Sequence, residues 1–87
     1  MTKIKALVAR MAANPQNIRF ADLQRVCNHF FGDSRQDGSH HIYKTPWPGD
    51  PRVNIQPGKN GMAKVYQVRQ VLAAIFQLNE WNEEDDG

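Results

Sequence analysis

The spacing of apolar residues changes from helical to extended and back again along this 87-residue chain, and that change restricts the fold more than any other feature. Ile4, Leu7, Val8 and Met11 recur at i, i+3, i+4 and i+7, so residues 3–13 read as an amphipathic helix with Thr2 as its N-cap. Asn14-Pro15 ends it. Phe20, Leu23, Val26, Cys27, Phe30 and Phe31 form a second helical stripe, closed by Gly32 where a left-handed C-cap belongs. From 33 to 45 the pattern is extended, with strands expected at 34–36 and 39–44. Between them Asp37-Gly38 is read as the central pair of a type I′ turn, both of whose positions need positive φ. TPWPGDP, 45–51, holds three prolines and a glycine and must be a stiff loop poor in backbone donors. RVNIQ, 52–56, alternates polar and apolar residues, predicting a third strand with Val53 and Ile55 inward. After PGKNG, Val65, Val68, Leu72 and Ile75, flanked by Val71 and Phe76, predict a last helix over 64–79.

Two helices, a three-stranded antiparallel meander and a third helix make a two-layer α+β domain with the helices on one face, because each element needs another to cover its apolar side. A chain this short buries only about 60–65% of its unfolded surface, which leaves room for one core. The longest apolar run, VLAAIF at 71–76, is far short of the roughly 20 residues of a membrane span, and no charged start leads into an apolar stretch. A single cysteine, Cys27, allows neither an internal disulfide nor a cysteine-rich zinc site. It falls on the apolar stripe of the second helix and reads as core, and the expected setting is the cytoplasm.

The formal charge of +2 hides an asymmetry. Glu80, Glu83, Glu84, Asp85 and Asp86 crowd the last eight positions, while residues 1–79 carry 11 basic and four acidic side chains, a formal +7. That body suits a polyanion, and the acidic end reads as a solvated tail.

The chemistry on offer is narrow. Glycine-rich phosphate loops, metal-ligand spacing and paired carboxylates are missing from the body, whose acids Asp22, Asp33, Asp37 and Asp50 fall at helix-start, turn or loop positions. No metal or cofactor is expected. Histidine remains. His29 lies on the polar side of the second helix and reads as a surface residue. His40 and His41 are neighbours in a strand, so they face apart and cannot couple on one substrate. Parity groups His40 with Ile42 and His41 with Tyr43, which leaves open which histidine faces the core. Imidazole, with an ordinary pKa of about 6.5, can take and return protons near neutral pH. RNA supplies a matching reaction: once a base removes its proton, the 2′-hydroxyl attacks the adjacent phosphodiester without a metal, while cations stabilise the phosphate.

Gly38-Ser39-His40, the aromatic Tyr43, the preceding Arg35-Gln36, the YQVRQVLAAI helix and the helix-before-hairpin order resemble the HicA family of toxins. These are small ribonucleases of bacterial toxin-antitoxin modules that cut messenger RNA and are held inactive by a HicB-type partner. The resemblance runs from about Asn17 to Leu78. It implies a fold like a double-stranded-RNA-binding domain, α-β-β-β-α, over 16–79, with an N-terminal helical extension at 1–15 and a flexible acidic tail at 80–87. It gives His40 the catalytic role, as general base or as acid and base in turn, and makes His41 a variable position. Many relatives carry a further histidine near the third strand. Here RVNIQ leaves any supporting role to Asn54, Gln56 or nearby lysines.

Arg35 and Lys44, on the strands flanking the turn, are candidates to hold phosphate, with Ser39 beside them as an RNA contact. Trp47 reads either as a base-stacking platform or as a loop anchor. Two competing functions are a non-catalytic RNA-binding module using the same basic face, and an interaction domain whose basic patch meets an acidic protein.

Overall fold

In the computed structural model, which describes residues 3–49 and 52–86 and side chains as far as Trp81, three α-helices pack with a three-stranded antiparallel sheet in a small α+β fold. Helix α1 spans Ile4–Ala13, α2 spans Phe20–Phe31 and α3 spans Val65–Asp86. Strands β1 (Arg35–Asp37), β2 (His40–Tyr43) and β3 (Val53–Ile55) lie side by side in that order. Thr2 and Asp50 lie outside the described residues, and Lys3 at the start of α1 makes no side-chain cap. No helix among the described residues is long and apolar enough to cross a membrane.

The helical stripes follow the predicted spacing for α1 and α2. Leu7, Met11, Leu23, Val26 and Cys27 are buried, and Ile4, Val8, Phe20, Phe30 and Phe31 pack around them. Gly32 ends α2 with φ 81° and donates its N–H to Asn28 O at 3.1 Å. Its ψ of −151° lies outside the left-handed helical well, so the cap turns the chain directly into extended structure, a conformation reserved for glycine. In α3 the buried face is Gln67, Val68, Val71, Ala74 and Ile75, whereas Val65 and Phe76 are exposed. The apolar pattern at 64–79 therefore misplaces those two. The backbone of α3 also continues through the acidic segment to Asp86 instead of stopping near Asn79.

The hairpin corrects the turn prediction by one residue. Asp37 pairs with His40, so Gly38 and Ser39 form the two-residue loop, and of these only Gly38 has positive φ, 62°. Glycine first is the type II′ pattern, which needs one positive φ and lets Asp37 remain in β1. The register then sets the faces. His41 pairs with Ile55 and Tyr43 with Val53, and this inner set turns toward the helices; Ile42 pairs with Arg35 and Asn54 on the opposite, open face. After β3 the chain returns beside the start of α2, where Ala63 N–H donates to Ile18 O at 2.8 Å.

Tyr43 and Cys27 sit deep in this core. The Tyr43 hydroxyl donates to Asn28 Oδ1 at 2.7 Å. Burial pushes its phenol up to about 12, helped by the neighbouring Cys27 charge and opposed by a hydrogen bond with Ser34. Burial likewise pushes the Cys27 thiol up to about 12. Both groups are neutral when protonated, so a raised folded-state pKa means that stability is intact below their ordinary values of 9.0 and 10.0 and is lost as pH rises toward about 12. The urea midpoint is expected to fall above about pH 9, and less steeply in Tyr43→Phe than in the parent chain. Equal alkaline slopes in the two proteins would contradict this assignment.

Candidate active site and nucleic-acid interface

The contacts of β2 with α2 decide between the two histidines. His41 is half-buried, with its ring centroid 5.4 Å from that of Phe20, and Gln24 Nε2 donates to its Nδ1 at 3.4 Å. It belongs to the sheet–helix interface. His40 is exposed on the open face, with its Nδ1 3.1 Å from Asn54 Oδ1 on β3. A carbonyl oxygen only accepts, so Nδ1 is the donor in this pair, an arrangement that in the neutral ring leaves the lone pair on Nε2. Asn54 thus fixes the tautomer that a general base requires.

Around His40 the open face and α3 enclose a groove of about 680 Å³. Arg52, Asn54 and Gln56 form the sheet wall with His40, and Tyr66, Gln67, Gln70 and Ala73 form the helix wall. Gln67 fastens the two walls: it is buried, and its Oε1 accepts the Gln56 backbone N–H at 3.0 Å. The 52, 54, 56 alternation signals that Arg52, Asn54 and Gln56 share a face. Helical spacing likewise puts Tyr66, Gln70 and Ala73 on one side of α3. That these two sets meet is a tertiary fact.

A second groove of about 490 Å³ adjoins the first and shares Arg52 and Asn54 with it. Arg35 and Lys44 line it, beside Ile42 and the 45–49 loop. Three cations therefore flank one concave track across the open face, with the exposed Asp37 opposite His40 across the hairpin. Ser39 lies outside both linings; it occupies the turn, where its hydroxyl donates to Gln56 Oε1 at 3.5 Å. Trp47 is an anchor: only 5% exposed, it meets Phe31 edge-on with ring centroids 6.5 Å apart. Although it also lines the second groove, at that depth it fits the loop anchor better than a stacking platform. His29 is exposed, edge-on to Phe30, at a distance from this track in the chain and on another element. Among the described residues no three His, Cys, Asp or Glu side chains gather to hold a metal ion.

Comparison with protein-family models, characterised proteins and solved structures returns no match.

Proposed function

We propose that the chain is a HicA-like toxin, a metal-independent endoribonuclease that cuts messenger RNA with His40 as general base. The observation that carries this reading is His40, held through Nδ1 by Asn54 and lining a groove that Arg52 also lines. His40 Nε2 takes the 2′-hydroxyl proton, and the guanidinium stabilises charge gathering on the phosphate oxygens. Asn54 and Gln56, at the third strand near which many relatives carry a further histidine, contact His40 and Ser39 respectively. The helix, three strands and helix over 16–79 follow the α-β-β-β-α order of a double-stranded-RNA-binding domain, with α1 as the extension. A HicB-like antitoxin would act by covering the open face.

The second groove favours an alternative, a non-catalytic RNA-binding module, because its cations suit a phosphate backbone whether or not the bond is cut. Incubating purified protein with RNA in excess chelator separates the two. Cleavage that is lost in His40→Ala while binding survives supports the nuclease; salt-sensitive binding with no cleavage by either form supports the module.

Both readings share one electrostatic expectation. Contacts from Arg35, Lys44 and Arg52 to three phosphates give a slope of log K against log salt of roughly −2 for single-stranded RNA, at about −0.7 per phosphate. Arg35→Ala and Lys44→Ala should each flatten it by about 0.7. A slope near zero would remove the track from the account.

A further inference from the structure

Building on the nuclease reading, we propose that Tyr66 is the general acid of the cleavage step, donating its phenolic proton to the leaving 5′-oxygen. Attack by O2′ on phosphorus expels O5′ from the opposite side, so the base and the acid must approach from opposed directions. The groove is lined from two elements, the sheet and α3, so an acid and a base on different elements can reach one bound phosphodiester. His40 stands on the sheet wall and Tyr66 on the helix wall. Of the remaining lining side chains, Arg52 is a guanidinium, a charge stabiliser and not a general acid, Asn54, Gln56, Gln67 and Gln70 are amides, and Ala73 has nothing to give. A phenol, with an ordinary pKa of about 10, holds its proton at neutral pH and gives it readily to an alkoxide.

The orientation of Tyr66 is set by the one buried polar residue among those described. Gln67 is only 4% exposed, and because its Oε1 accepts the Gln56 N–H at 3.0 Å, its amide nitrogen must point the other way. That nitrogen donates to Tyr66 Oη at 3.5 Å. The contact is long, but its polarity matters: it occupies a lone pair of Oη and leaves the phenolic proton for another acceptor. Tyr66 itself is 56% exposed, so no core requirement explains the aromatic there.

The step balances without an added reagent. The 2′-hydroxyl proton passes to His40 Nε2 as the O2′–P bond forms; the P–O5′ bond breaks and O5′ takes the Tyr66 proton. A 2′,3′-cyclic phosphate and a 5′-hydroxyl result. Water then carries the imidazolium proton back to the phenolate.

The test compares an RNA substrate with uridine 3′-(para-nitrophenyl phosphate), whose leaving group needs no proton. Tyr66→Phe keeps the ring on an exposed site, and circular dichroism will verify its fold. The expected result is a loss of about 10²-fold on RNA, with the aryl ester cleaved within about three-fold of the parent rate. A loss of equal size on both substrates, or none on RNA, overturns the assignment. Two separate controls bear on the parent reading: folded parent chain that cleaves neither substrate would sink the nuclease reading, and His40→Ala should fail on both substrates, full activity there removing His40 as the base.

Discussion

His40→Ala is expected to lower the RNA cleavage rate by about 10²–10⁴-fold, the usual contribution of a positioned acid or base, while leaving RNA affinity within about three-fold. The separation follows from its place. The side chain is exposed on the open sheet face and reaches Asn54 across the strands, so its removal empties no core space and removes none of the three cations of the track. His41→Ala should behave in the opposite way. That ring packs on Phe20 and accepts from Gln24, and its loss should lower the unfolding free energy by about 0.5–3 kcal/mol yet preserve the rate of the folded protein. Loss of cleavage in His41→Ala with normal rates in His40→Ala would reverse the assignment.

Arg52→Ala is the second large effect, and it should differ in kind. Arg52 is the one cation shared by both grooves. Its loss should reduce kcat/KM by about 10²–10³-fold, as for removal of a preorganised donor at a site of developing charge, and weaken binding as well. Arg52→Lys should recover part of the binding and less of the rate, since an ammonium lacks the planar two-pronged donor geometry that matches a phosphate. A kcat/KM within about three-fold of the parent in Arg52→Ala would take the residue out of the chemistry.

The element order could be read from period alone, because α1 and α2 bury continuous stripes, α3 keeps a helical period despite Gln67, and β3 alternates cleanly through Val53 and Ile55. The turn could not be placed to the residue. Asp37-Gly38 and Gly38-Ser39 are both acceptable pairs, and strand pairing chose the second. Nor could parity choose between the histidines, since Ile42 and Tyr43 are both able to face a core. Contacts with α2 made the choice: Tyr43 reaches Asn28 and His41 meets Phe20, leaving Ile42 half-buried on the open face with His40. Trp47, flanked by two prolines, reads equally as a stacking platform or a loop anchor, and its burial, with Phe31 of a different element edge-on to it, favours the anchor.

The helix wall of the groove was the least legible part. Gln67 interrupts an otherwise apolar helix face, and a lone polar residue at such a position gives no indication of its partner. Its value depends on the Gln56 N–H of β3, which reaches it only after the sheet and α3 have packed together. Val65 and Phe76 failed for a related reason. Each extends an apolar run along the chain but lies off the arc of α3 that the core covers.

The chemistry of the cut ends tests the central claim most directly. RNA incubated with the purified chain in excess chelator should yield fragments beginning with a 5′-hydroxyl and ending in a 2′,3′-cyclic phosphate or the 3′-phosphate that its hydrolysis gives, the products of an attack by the substrate's own 2′-oxygen. Mass spectrometry resolves these from the alternatives. Fragments bearing 5′-phosphates and 3′-hydroxyls, or RNA left intact by folded protein, would contradict the account.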